Sequence, residues 1–201
     1  MVEAMKKIVL GFPSGDTVKT DFMLSFIRLL SRNGHGGFAF SMANKKSCYV
    51  DLNRNMIANG VLTSGADALL FLDTDMVVPD DIHQRLWAHG KDIVGCDYVR
   101  RHVPYDLNGL TKDGLPLGTE GLRDMARLGM GAILIRRKVF ETMPAPWFWN
   151  DYNVEGGGGI IPYGEDTTFC HSAQRAGFTV WCDQGLSREV SHEGSMHFRI
   201  Q

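Results

Sequence analysis

Short unbroken apolar runs alternate along the chain with stretches in which apolar residues recur at helical spacing. Lys7 to Phe12 is the first run, and it ends at Pro13-Ser14-Gly15-Asp16, which predicts a buried strand entering a loop. Phe22, Phe26, Ile27 and Leu30 then predict a helix that stops at Asn33-Gly34. Gly37 to Met42 predicts a second strand, and Tyr49, Leu52, Met56 and Ile57 a second helix, punctuated near Gly60 and Ser64-Gly65. The strongest strand signal is Ala68 to Leu72. A helix is predicted after Pro79-Asp80-Asp81, where acids face the positive end of the helix dipole, with Gly90 as its stop and a strand beginning at Ile93-Val94-Gly95.

Residues 100–128 are rich in Gly, Pro and charge and show no period, so they are expected to form loops with at most short elements. Regularity returns with a strand over Ala132 to Ile135 and a helix over Arg137 to Met143. Trp147 to Gly159 reads as irregular and ends in four glycines. A helix over Asp166 to Ala176, closed by Gly177, a strand over Thr179 to Cys182 and a tail through Val190-Ser191-His192 complete the pattern. Alternating strands and helices imply an α/β fold with parallel pairing and helices on both faces. Ligands in such folds sit beyond the carboxyl ends of the strands.

Composition narrows the function classes. With 201 residues, 44% of them hydrophobic, one domain over residues 1–201 is expected. The 21 basic residues against 23 acidic ones give a net charge of -2, so no global basic field draws the chain to nucleic acid or anionic membrane. No apolar run approaches a membrane span, and the apolar stretch after Lys6-Lys7 is too short for a signal peptide, so a cytoplasmic location is expected. Cys48, Cys96, Cys170 and Cys182 are scattered without metal or redox spacing and are expected to be reduced and mostly buried.

The candidate chemistry begins where the strongest strand ends. Asp73 and Asp75 flank Thr74 there, and in extended chain their side chains would share a face roughly 6 to 7 Å apart. Two such carboxylates can hold a hard divalent cation and leave positions open for phosphate oxygens. The alternative is that they cap the next helix. Two acids at the mouth of an apolar strand carry a desolvation cost that a cation offsets, which favours the metal reading.

Leu70-Phe71-Leu72-Asp73-Thr74-Asp75 resembles the Asp-x-Asp signature of GT-A glycosyltransferases. Gly11-Phe12-Pro13-Ser14-Gly15-Asp16 resembles the first strand and loop that hold the nucleotide in that family. Asp51-Leu52-Asn53-Arg54-Asn55 is similar to the Arg-Asn segment of its large inverting, processive-synthase-like branch, Gly164-Glu165-Asp166 looks like the branch's Glu-Asp motif, and His192 resembles the late histidine of its metal site. The likeness spans roughly residues 7 to 194, consistent with one domain.

It implies a GT-A type, Rossmann-like fold: a mixed, mostly parallel sheet flanked by helices on both faces. It also implies a metal-dependent, inverting transfer of a sugar from a UDP- or GDP-sugar donor to an acceptor, which could be a glycan, a protein, a small molecule or a modified base. The resemblance makes Asp73, Asp75 and His192 metal ligands for Mn2+ (or Mg2+). His197 is a less favoured substitute for His192. Pro13, Ser14, Asp16, Arg54, Asp73 and Thr74 become donor contacts, Asp166 the general base and Glu165 its support. Arg101, Trp147 and Trp149 are candidate acceptor contacts, the tryptophans as an aromatic platform beside the glycine run or simply as core. Two other readings are a sugar nucleotidyltransferase, whose glycine-rich phosphate loop is missing after the first strand, and a non-catalytic nucleotide-sugar-binding module.

Overall fold

Every side chain of Ala68–Leu72 is buried, and in the computed structural model this strand stands near the middle of an eight-stranded sheet. The structure describes residues 4–101, 106–154, 160–194 and 197–198. Its first half contains β1 (Lys6–Ser14), α1 (Thr20–Leu30), β2 (Phe38–Lys46), α2 (Val50–Ser64), β3 (Ala68–Leu72), β4 (Met76–Val77), α3 (Ile82–Ala88) and β5 (Ile93–Gly95). The second half adds β6 (Leu110–Thr111), β7 (Leu122–Arg127), β8 (Ala132–Arg136), α4 (Arg137–Thr142), β9 (Asp151–Val154), β10 (Ile160–Tyr163), α5 (Glu165–Arg175), β11 (Val180–Asp183), β12 (Ser191–Glu193) and β13 (His197–Phe198).

The large sheet has the order β2-β1-β3-β8-β5-β11-β7-β6. Strands β1, β2, β3, β5, β6 and β11 point one way, and β7 and β8 the other. Alternate residues of each strand feed two cores. Val9, Leu69, Phe71 and Ile133 face α2, α4 and α5, while Ile8, Leu10, Leu70 and Leu134 face α1 and α3. At Gly11 the packing leaves no room for a side chain, since a Cβ would come within 2.6 Å of Ile57 on α2 and 2.7 Å of Leu69. That contact presses α2 onto β1 and sets where Arg54, one turn into the helix, points.

Several expectations are corrected. The sheet is mixed, with most strands pointing one way, as the family likeness implies; the parallel pairing read from alternating elements gives way where β8 inserts antiparallel between β3 and β5. A strand buried on both faces looks the same in sequence whichever way it runs, so its direction leaves no trace. The stretch 100–128 is not all loop, because Leu122–Arg127 is a six-residue strand paired with β11. Only Met125 of that strand is buried, which removes the apolar signal. Trp147 to Gly159 is likewise not wholly irregular, since Asp151–Val154 pairs with Ile160–Tyr163 in an exposed hairpin. The tetraglycine Gly156 to Gly159 lies outside the described residues. Asp81 stands at the N-cap of α3, as the helix start at Pro79-Asp80-Asp81 predicts, but its side chain makes no capping hydrogen bond: it pairs with Arg85 at 3.8 Å, and Asp80 pairs with Arg32 at 2.7 Å. Of the cysteines, Cys96, Cys170 and Cys182 are buried and Cys48 is exposed. No helix among the described residues is long and apolar enough to cross a membrane.

Candidate active site

The carboxyl ends of β3 and β5, the first turn of α5 and Arg54 of α2 meet at a cavity of about 310 Å³. It is lined by Arg54, Asp73, Asp75, Tyr98, Arg100, Arg101, Asn108, Met130, Glu165, Asp166 and His192.

Beyond Leu72 the backbone does not continue as a strand. The amide of Met76 donates to the Asp73 carbonyl at 3.0 Å, closing Asp73-Thr74-Asp75 into a turn, so the side-by-side spacing expected of extended chain does not apply. The turn sends the two carboxylates to different partners. Asp73 Oδ1 accepts from Arg54 Nη2 at 2.8 Å. Asp75 Oδ2 lies 2.9 Å from Arg101 Nη1 and 3.3 Å from His192 Nε2.

His192 reaches that position through a small second sheet. Strand β12 runs antiparallel to β4 with His192 opposite Met76, and the amide of Glu193 donates to the Asp75 carbonyl at 2.6 Å. His192 Nδ1 is 3.1 Å from the Val99 carbonyl. A carbonyl only accepts, so Nδ1 carries the hydrogen and Nε2 is the atom presented to Asp75. Burial would raise the Asp75 pKa, but the hydrogen bond and charge of His192, with Arg101, outweigh it and hold the carboxyl below its usual range.

Arg54 is 3% exposed, although an arginine on such a helix commonly points to water. Its Nε donates to Glu165 Oε1 at 3.1 Å, its guanidinium carbon lies 5.1 Å from the centre of the Phe71 ring, and its Nη1 is buried without a partner among the described residues. Burial alone would lower its pKa; Asp73 and Glu165 reverse that, and the net shift is upward. Asp166, in the first turn of α5, accepts from the Thr167 amide at 2.7 Å and lines the cavity.

Tyr98 and Asn108 were not singled out from the sequence. Tyr98 is buried; its hydroxyl accepts from the Gly131 amide at 3.1 Å and its ring meets His192 edge-on at 5.3 Å. A Cβ on Gly131 would come within 2.7 Å of that hydroxyl. The one available signal was position: Tyr98 follows directly after a strand's carboxyl end, where α/β sheets hold ligands.

The remaining sequence candidates do not line this cavity. Ser14 accepts a hydrogen bond from Asn44 Nδ2 at 2.9 Å at the end of β1, next to Pro13, and exposed Asp16 pairs with Lys46 at 2.7 Å. Thr74 offers its carbonyl to the Lys19 amide at 3.1 Å. Trp147 is 5% exposed and packs in the core, with Nε1 donating to the Met143 carbonyl at 3.0 Å. Trp149 borders two other pockets. His197 pairs through its backbone with Glu193.

Among the described residues, no group of three His, Cys, Asp or Glu side chains is close enough to hold a metal ion unaided. The donor set of Asp75 and His192 nevertheless suits a divalent cation. It offers a carboxylate oxygen beside an imidazole nitrogen whose other nitrogen is fixed by a backbone carbonyl, the usual outer support of a histidine ligand. Carboxylate with imidazole favours manganese over magnesium.

No protein-family model matches the chain, and no curated protein matches its sequence. Solved structures do match. A197 from STIV superposes with a TM-score of 0.65 at 17% identity, over 94% of this chain and 86% of that one. A mutant Drosophila β-1,4-galactosyltransferase 7, crystallised with manganese, UDP-Gal and xylobiose, superposes with a TM-score of 0.52 at 16% identity, over 94% of this chain and 71% of that one. The fold is GT-A-like. In this GT-A-like chain, the acid pair, the Arg54 cluster and the first turn of α5 all meet where the sheet's carboxyl edge opens.

Proposed function

We propose that this chain is a metal-dependent glycosyltransferase, one domain that moves a sugar from a nucleotide diphosphate to an acceptor hydroxyl with inversion at the anomeric carbon. The observation that carries this reading is the single cavity in which Asp75 and His192 stand 3.3 Å apart and face Arg54, Asp73, Glu165 and Asp166. The manganese, UDP-Gal and xylobiose bound to the Drosophila neighbour support it at the level of fold.

Asp75 and His192 would hold the cation. When bound, a divalent cation supplies charge stabilisation to the departing diphosphate. Arg54 adds fixed positive charge, since Asp73 and Glu165 hold it buried and rigid. Asp73 orients Arg54 and is available to the ribose, while Pro13, Ser14, Asp16 and Thr74 would meet the nucleotide further along the sheet edge. Asp166 takes the proton from the acceptor hydroxyl. That oxygen forms the new bond to the anomeric carbon as the bond to the phosphate oxygen breaks, and the diphosphate leaves with the electron pair.

Screening UDP- and GDP-sugars for manganese-dependent turnover tests the reading, with Asp166→Asn as the mechanistic control. The variant should keep nucleotide binding and lose transfer by a factor of roughly 10² to 10⁴, the usual worth of a general base. Unchanged transfer in Asp166→Asn would remove Asp166 from the mechanism.

A further inference from the structure

A second cavity, of about 280 Å³, opens between the β9–β10 hairpin and α5 and shares no lining residue with the first. Antiparallel register sets Tyr163 opposite Asp151 and Ile161 opposite Asn153, so Asp151, Asn153 and Tyr163 lie on one face of the hairpin. From α5, His171 and Arg175 lie four residues apart on one helical face, and Trp149 closes one end. Thr168 Oγ1 ties this groove to the first cavity. It donates to the Trp149 carbonyl at 2.5 Å and to the Glu165 carbonyl at 3.0 Å, so the groove is pinned to the turn that carries Glu165 and Asp166. At about 1.5 Å per residue, Arg175 lies roughly 13 Å along the helix from Asp166.

The lining combines aromatic rings with both senses of hydrogen bonding. Trp149 and Tyr163 offer flat apolar faces, Asp151 only accepts, Arg175 only donates, and Asn153 does both. Sugar rings present C–H faces beside hydroxyls that donate and accept. A polyanion would find a carboxylate in its path at Asp151, and an apolar ligand would strip water from the charges of Asp151 and Arg175, whose hydrogen bonds are to neutral groups, the Tyr152 amide at 2.8 Å and the Ser172 hydroxyl at 3.0 Å.

We propose that this groove binds an uncharged oligosaccharide, as a remote subsite for a glycan acceptor whose reacting end lies at Asp166. Calling the sugar an acceptor rests on the glycosyltransferase reading; the binding itself does not.

The test is ligand-observed NMR titration of the full chain with xylobiose, lactose and cellobiose, and with a sulfated disaccharide as the anionic comparison. Asp151→Ala and Arg175→Ala, both at exposed positions, are checked for an unchanged melting temperature and unchanged UDP binding. At least one neutral disaccharide should bind saturably, and each variant should weaken it about fivefold, the effect of one lost hydrogen bond. Preference for the sulfated sugar, no saturable binding by any neutral one, or affinities that both variants leave unchanged would overturn the assignment. Neutral-sugar binding at the groove in a protein that fails to bind UDP with manganese would support the groove and defeat the glycosyltransferase reading.

Discussion

Arg54 joins the two acidic motifs of the chain, donating from Nη2 to Asp73 at 2.8 Å and from Nε to Glu165 at 3.1 Å. Arg54 and Glu165, 111 positions apart in the chain, are thereby joined by one buried ion pair. The link ties α5 to the end of β3 beneath the cavity.

Arg54→Ala should therefore destabilise the fold by about 3–5 kcal/mol, because two carboxylates would lose the charge that balances them. Arg54→Lys should recover only part of this, since a point charge cannot reproduce a fork that engages two partners. Urea unfolding of the three proteins measures it. A cost below about 1 kcal/mol for Arg54→Ala would mean that the cluster is solvated rather than buried.

Gly131 and Tyr98 should behave as a coupled pair. Gly131→Ala places a methyl against the Tyr98 hydroxyl and is expected to cost about 1–3 kcal/mol. Tyr98→Phe removes the oxygen at 2.7 Å but leaves the ring carbon at 2.9 Å, so the double variant should be more stable than the sum of the single effects allows, with part of the cost retained. A double-mutant cycle by thermal unfolding reads the coupling, and strict additivity would mean that the backbone moves aside instead.

His83 should contribute an acid limb to stability. It is fully buried between Phe38 and Phe40, and among the described residues neither ring nitrogen has a hydrogen-bond partner. Burial, assisted by Arg32 and opposed by Asp81 and Asp80, lowers its pKa from 6.5 to about 4. The neutral ring's stabilisation is thus complete above pH 6.5 and is lost as the pH falls toward 4. Relative to the parent, His83→Leu should gain roughly 3 kcal/mol on going from pH 7 to pH 4. A difference that stays constant with pH would contradict the assignment.

Asp97 should act in the opposite sense. Burial raises its carboxyl from 3.8 to about 6, against the backbone N–H groups of Gly109, Tyr98 and Asn108 and the charge of Arg100, and its Oδ2 is buried without a partner among the described residues. A raised folded pKa means that its contribution is full below pH 3.8 and is lost as the pH rises through 6. Asp97→Asn should accordingly be more stable relative to the parent at pH 8 than at pH 4, by roughly 3 kcal/mol. Denaturant titrations at the two pH values decide it.

These residues also mark what could be read from the chain. Runs buried at every position announced themselves, which is why Ala68–Leu72 and Ile93–Gly95 keep the positions expected of them. Strand Leu122–Arg127 gave no such signal, since one buried methionine among charged neighbours has no period. The chemistry of Asp73, Asp75, Glu165, Asp166 and His192 was legible as residue types in order along the chain. Their geometry was not: it depends on a turn at Asp73-Thr74-Asp75 and on β12 returning beside β4, both settled by long-range pairing. Tyr98 and Asn108 escaped notice because a loop residue that lines a cavity carries no pattern of its own. Trp147 shows the converse, an aromatic whose sequence setting suits a binding platform and whose place is the core.

Isothermal calorimetry of UDP with the parent and with Asp75→Asn, each with manganese and with a chelator, tests the central claim most directly. The account predicts micromolar binding by the parent that requires manganese and weakens by at least about 10-fold in Asp75→Asn, the lower end for a lost metal contact. Equal affinity with and without the metal, or an unimpaired Asp75→Asn, would contradict it.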